Sequence, residues 1–217
     1  MVNWDEIDTV LLDMDGTLLD LYFDNFFWQE YLPIKWGELH GLDPDEAKAR
    51  LTPRFRSMKG TLSWYCLDYW TEQLELDVMA LKADVEHLIA IRPKVEEFLL
   101  HIRDLRKSVV MVTNAHQKLI DLKMEKTGIE RYFDQIFCAH GLGAAKEDPA
   151  FWHRLGDQIS FDSDRTLLID DNLTVLRTAR AYGIRHLLTI ARPDSHAAGQ
   201  QAEEFIAVEC FSTLLQV

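Results

Sequence analysis

The chain has 217 residues, 47% hydrophobic and 27% charged, an ordinary globular composition with room for a core domain and a modest insertion. Its 36 acidic side chains outnumber 23 basic ones, for a formal charge of -13, and no run of Lys or Arg interrupts that balance. Nucleic acid and anionic membrane are therefore excluded as expected partners, whereas a small anion is not, because a bound divalent cation inverts the local field.

Ile7 to Leu12 (IDTVLL) reads as a first strand buried on both faces, being short, apolar and without strict alternation. From Asp20 to Ala90 there is no strand pattern. Helical spacing prevails there, with turns expected at Pro33, Gly37, Gly41 to Pro44, Pro53 and Gly60, and the segment holds about half of the aromatic residues. The simplest reading is a helical cap over residues 20–90, inserted into a core made of 1–19 and 91–217. Pro93 to Arg106 then opens a helix with Pro near its first turn and Val95, Phe98, Leu99 and Ile102 on one face. Ser108 to Val112 is the second strand, and His116 to Lys126 a helix stopped by Gly128. Gln135 to Ala139 is the third strand, Pro149 to Ile159 a helix and Thr166 to Ile169 the fourth strand. Leu173 to Tyr182 is a helix ended by Gly183, and Arg185 to Ile190 the fifth strand. This rhythm predicts a doubly wound, Rossmann-like α/β core with a parallel sheet, in which ligands bind beyond the carboxyl ends of the strands.

The residues just after each strand carry chemistry. The first strand ends in Asp13-Met14-Asp15-Gly16-Thr17, two carboxylates placed to hold a divalent metal, a glycine that permits a sharp turn, and a hydroxyl. A calcium loop also begins Asp-x-Asp, but its sixth and twelfth positions would be Gly and Glu, and here they are Leu18 and Asp24. The second strand ends in Thr113 and Asn114 ahead of a helix, either a phosphate seat or simply a helix cap. Lys146 comes after the third strand in a Gly/Ala loop, either reaching a phosphoryl oxygen or solvated. The fourth ends in Asp170-Asp171-Asn172, where adjacent acids need a cation or a partner unless they serve only to cap the next helix. Successive residues point to opposite sides, so Asp171 is favoured as the metal ligand, with Asp170 holding Lys146 or a metal-bound water.

Taken together and in this order, the four strand ends resemble the motifs of the haloacid dehalogenase superfamily. Asp13-x-Asp15-Gly16-Thr17 is similar to its first motif, Thr113 to its second, Lys146 to its third and Asp170-Asp171 to its fourth. The insertion stands where that family places its helical C1 cap. One departure is that positions 172 to 176 hold no acid, whereas many members carry a further one there. The stretches VLLDMDGTLLDL, LSWYCLDYW, KED, LLIDD and PDS resemble, more narrowly, the bacterial purine 5′-nucleotidases of that superfamily.

The resemblance implies a magnesium-dependent phosphomonoester hydrolase with GMP and IMP as favoured substrates. Mg²⁺ would be held by the Asp13 carboxylate, the Asp15 main-chain carbonyl and Asp171. Asp13 would be the nucleophile that forms an aspartyl-phosphate and Asp15 the general acid and base. Thr113 and Lys146 would stabilise the phosphoryl oxygens, with Thr17 and Asn114 as further substrate ligands. Phe27, Trp28, Trp64, Tyr65 and Trp70 are candidates to stack on a purine, although most rings at helical spacing are expected to pack the cap itself. A dehalogenase would need neither Asp15 nor the metal-binding acids. A sugar-phosphate phosphatase or phosphomutase would share all four motifs, and a non-catalytic nucleotide-binding module is the reading of another class.

Cys66, Cys138 and Cys210 are odd in number, widely spaced and without a CxxC pair, which argues against a disulfide framework and a structural zinc site. The N-terminal residues carry acids and no basic region, so no signal peptide is expected. No apolar run reaches the ~20 residues that span a bilayer. A reducing cytoplasm is the expected location.

Overall fold

A computed structural model describes residues 2–215. Six strands, β1 (Thr9–Leu12), β2 (Ser108–Thr113), β3 (Gln135–Cys138), β4 (Thr166–Ile169), β5 (His186–Ile190) and β6 (Ile206–Val208), form one parallel sheet in the order β3-β2-β1-β4-β5-β6. The expected parallel α/β core is the fold that forms. Its central strands lack alternation because both faces are covered. Val10 and Leu12 of β1 pack on one side in a core that includes Phe98, Leu99, Ile102 and Ile120, while Leu11 packs on the other with Phe151, Trp152, Leu155 and Leu176. The two faces together therefore call for apolar residues at successive strand positions.

Between β1 and β2 the chain is helical: α1 (Tyr22–Phe26), a π turn (Phe27–Tyr31), α2 (Leu32–His40), α3 (Pro44–Met58), α4 (Leu67–Leu74) and α5 (Val78–Asp84). The remaining helices are α6 (Val95–Asp104), α7 (Gln117–Thr127), α8 (Ala139–Leu142), α9 (Pro149–Gln158) and α10 (Leu173–Tyr182). The helical segment leaves and returns side by side: the Asp20 N–H donates to the Ala90 carbonyl at 2.9 Å and the Arg92 N–H to the Leu18 carbonyl at 3.0 Å.

Three expected turns are not breaks, and one of them, Gly37, lies within α2, which runs on to His40. Pro33 lies in the first turn of α2, where its missing N–H costs least, and the π turn before it carries the helix through from α1. Pro53 lies inside α3, which continues to Met58. Two short elements are not expected from the sequence. The strand β6 has three residues, with Ile206 68% exposed, and α8 has four. Neither is long enough to show a period. Among the described residues no helix is long and apolar enough to cross a membrane, and Cys66, Cys138 and Cys210 are free thiols.

Candidate active site

Strand register gathers the acids. Leu12, the last residue of β1, lies opposite Ile169, the last of β4, so these two strands run out together, while β2, whose Met111 is level with Leu12, continues two residues further to Thr113. The next residue on β1 is Asp13, whose N–H donates to the Ile169 carbonyl at 3.0 Å, and the next on β4 is Asp170. Strand order reverses between β1 and β4, and the crevice such a switch opens is where this kind of sheet binds ligands.

Lys146 fills the centre of that crevice. Its Nζ lies 2.5 Å from Asp13 Oδ1, 2.6 Å from Asp170 Oδ2 and 3.1 Å from the Val112 carbonyl, with only 2% of the residue exposed. Burial disfavours a charged lysine, but the two carboxylates outweigh it and hold the ammonium above its ordinary value. Asn114 steadies the loop from the side: its Oδ1 accepts the Lys146 N–H at 2.8 Å. Thr113 is 1% exposed, and its hydroxyl oxygen accepts from the Ala115 N–H at 3.1 Å, leaving the hydroxyl proton free to donate.

One lysine does not balance the acids. Carboxylate oxygens of Asp13, Asp170 and Asp171 all lie within 4.8 Å of one another. Burial pushes Asp13 up to about 6, with Lys146 opposing and Asp170 reinforcing. Asp171 is raised further, first by burial and then by Asp13 and Asp170. Among the described residues no donor reaches its carboxylate. Gly16 explains the close approach: it adopts φ +84°, and a Cβ there would stand 2.5 Å from Asp171 Oδ2. The first motif is thus glycine-shaped to seat Asp171. Three hard oxygen donors with surplus negative charge fit a divalent cation such as Mg²⁺.

Two further groups stand in the site without a role suggested by sequence alone. Glu147 comes after Lys146, and its carboxylate accepts from the Asn114 amide at 2.9 Å, the Asn172 amide at 3.0 Å and the Tyr65 hydroxyl at 2.6 Å. It ties the loops after β2, β3 and β4 to the helical segment. Lys123, on α7, is 1% exposed and donates to Asp15 Oδ1 at 2.5 Å and to Asp24 Oδ2 at 2.6 Å. Both had a signal. KED is a distinctive string, and Lys123 sits in the apolar stripe of α7, with Leu119, Ile120 and Met124.

A cavity of about 1240 Å³ opens over the sheet edge, and Asp13, Asp15, Thr113, Asn114, Lys146 and Asp171 all line it. Thr17 does not. It is fully buried beneath, with its hydroxyl unpartnered. From the helical segment, Trp28, Phe55, Trp64 and Tyr65 face the cavity, whereas Phe27 and Trp70 are buried at 0% and 1% exposure. Trp28, Phe55, Trp64 and Trp70 pack on one another at centroid distances of 5.1 to 5.9 Å.

Known proteins are similar to this chain in sequence and fold. It is 38% identical over 214 residues to the GMP/IMP nucleotidase YrfG of Escherichia coli strain K12, covering 99% of this chain and 96% of that one. It is 19% identical over 190 residues to a phosphorylated carbohydrates phosphatase of Thermotoga maritima, covering 83% and 84%. Its fold is similar to that of a HAD phosphatase from Thermococcus onnurineus, with a TM-score of 0.77 at 21% identity over 96% of both chains. A family model described as haloacid dehalogenase-like hydrolase matches residues 7–183. With that match spanning most of the chain, the protein belongs to the haloacid dehalogenase-like hydrolase family.

Proposed function

We propose that this hydrolase is a magnesium-dependent phosphatase that forms an aspartyl-phosphate on Asp13 and prefers purine nucleoside 5′-monophosphates. The observation that carries the reading is the cluster at the sheet's carboxyl edge: three carboxylates against one buried lysine, open to a cavity large enough for a nucleotide. Asp13, Asp171 and the Asp15 main-chain carbonyl are the groups to hold Mg²⁺, and Asp170 the one to hold Lys146. Bound there, the cation would neutralise a phosphoryl oxygen and lower the repulsion that makes phosphate esters slow to react.

The side chains divide the remaining work. An Asp13 oxygen attacks phosphorus, the new O–P bond forms as the ester P–O bond breaks, and Asp15 passes its proton to the departing alkoxide. Asp15 then accepts a proton from the water that attacks the aspartyl-phosphate, releasing phosphate and regenerating both carboxyl groups. Burial pushes Asp15 up to about 6, with Lys123 opposing and Asp24 reinforcing, which suits a group that must both give and take a proton near neutrality. Lys146 Nζ and the Thr113 hydroxyl donate to the equatorial oxygens as charge builds on them. Thr17, buried under the motif, and Asn114, at the cavity wall, support this seat from below and from the side. Trp28, Phe55, Trp64 and Tyr65 offer apolar faces for the leaving nucleoside. The nucleotide preference is supported by the 38% identity to a protein named for GMP and IMP.

The test is phosphate release from GMP, IMP, AMP, UMP, several sugar phosphates and an aryl phosphate, with and without Mg²⁺, beside Asp13→Asn. Magnesium-dependent release favouring GMP and IMP and lost in the variant supports the whole reading. Preference for sugar phosphates removes the nucleotidase assignment and keeps the chemistry. No release from folded protein removes the phosphatase.

A further inference from the structure

Four charges, two buried lysines and two half-buried aspartates, run from the site into the helical cap. Asp15 Oδ1 meets Lys123 Nζ at 2.5 Å, Lys123 meets Asp24 Oδ2 at 2.6 Å, and Asp24 Oδ1 meets Lys82 Nζ at 2.7 Å. Lys123 belongs to α7 of the core. Asp24 and Lys82 belong to α1 and α5 of the inserted segment. Lys82 is fully buried, with its Nζ 4.8 Å from the Phe23 ring centroid and 4.3 Å from that of Phe27, and Lys123 Nζ is 4.9 Å from Phe23.

Such an arrangement is costly to build. A buried ammonium gives up its hydration, and hydrophobic residues of similar size often replace buried ion pairs without loss of stability. Two lysines placed in apolar stripes, one in the core and one in the cap, are a poor device for joining helices that already share an apolar interface. They are an effective device for fixing a carboxylate. Lys123 touches one Asp15 oxygen and leaves the other unclaimed. Asp24 then fixes Lys123, and Lys82 fixes Asp24. The chain of four is neutral as a whole, and it crosses from core to cap at one contact, Lys123 to Asp24, so the second carboxylate that fixes Lys123 is present only while the cap sits on the core.

We propose that Lys123, backed by Asp24 and Lys82, is a positioning residue that orients the Asp15 carboxylate toward the leaving oxygen, so that the seated cap sets the aim of the acid. This rests on the phosphatase reading in which Asp15 donates that proton. The proposal separates from a merely structural role through leaving-group dependence. Expelling a nucleoside alkoxide needs a proton from Asp15, whereas p-nitrophenolate departs without one. Mispositioning the acid therefore slows the nucleotide and spares the aryl ester. A cap that is simply loosened slows both.

The experiment is single-turnover release of nucleoside from GMP and of p-nitrophenol from p-nitrophenyl phosphate, each with Mg²⁺, in wild type, Lys123→Met, Asp24→Asn and Asp15→Asn. Lys123→Met is expected to slow nucleoside release about 10²-fold and nitrophenol release by less than about threefold, since general acid catalysis and its alignment are worth effects of this size. Combining Lys123→Met with Asp15→Asn should be no slower than Asp15→Asn alone, because the lysine acts through the aspartate. Asp24→Asn removes a charge with little change of shape and carries the same comparison if Lys123→Met does not fold. Equal slowing of both substrates, or no slowing, in a variant whose Asp15→Asn reference shows the split overturns the positioning role and leaves the acid in place. Absence of the split in Asp15→Asn overturns the acid assignment itself.

Discussion

Removing the Lys146 ammonium while keeping its bulk, as in Lys146→Met, exposes how the site balances charge. Nζ touches Asp13 and Asp170, both nearly inaccessible, and Asp171 lies within the same 4.8 Å group. Taking one partner from a buried ion pair typically costs about 3–5 kcal/mol, because the other charge is left without compensation. At roughly 2–4 °C per kcal/mol for a chain of this length, the metal-free variant should melt about 6–20 °C below wild type near neutral pH. The penalty should shrink at about pH 5, where Asp13, already raised to about 6, takes up a proton and the cluster sheds charge. Added Mg²⁺ should recover part of the loss at about pH 7.5 by replacing the missing positive charge. Thermal unfolding measured by circular dichroism, with a chelator and then with Mg²⁺, reads all three. A loss below about 1 kcal/mol, or one equal at both pH values, would refute the view that Lys146 is the counter-charge of these acids.

The same contacts set three further outcomes. Gly16→Ala must leave φ +84° or strain it and must displace the Asp171 carboxylate from 2.5 Å, so calorimetric Mg²⁺ affinity should fall at least about tenfold; unchanged affinity would remove Asp171 from the metal site. In metal-free wild type, Asp13 and Asp15 bind protons more tightly folded than unfolded. Stability should therefore drop as pH rises from about 4 through about 6, by about 3 kcal/mol for Asp13 alone, and Mg²⁺ should stabilise more at about pH 7.5 than at about pH 5. A flat metal-free profile contradicts this. Glu147→Gln turns one of three accepted bonds into a donor facing a donor and should cost about 2 kcal/mol in urea unfolding, whereas an unchanged midpoint would show that Glu147 does not knit the loops.

Much of the architecture is legible because its physics is local. A strand covered on both faces is mostly apolar, and the acid or hydroxyl at its end marks the sheet edge, so the segments around Leu12, Val112 and Ile169 announce both the strands and their functional ends. The short elements are silent: β6 and α8 are shorter than the periods that would reveal them, and tertiary pairing makes them. Pro33 and Pro53 mislead because a proline ends a helix only when its missing hydrogen bond and ring find no accommodation, and the first-turn position and the π turn supply that for Pro33. Roles that depend on contacts between distant segments are the hardest to see. Asp24 lies 99 residues from Lys123 and 58 from Lys82, each on its own helix, and only the fold shows that their charges meet. Each nonetheless leaves a trace, a charged residue in a helix's buried stripe or between buried rings, which is a costly placement without a partner.

The nucleophile assignment is tested most directly by trapping it. Enzyme mixed with excess substrate and Mg²⁺, quenched in acid and reduced with borohydride, converts an aspartyl-phosphate to homoserine, and peptide mass spectrometry locates the change. Homoserine at position 13, absent when substrate is omitted, is the required result. Full turnover with an unmodified Asp13, or homoserine at another aspartate, would contradict it.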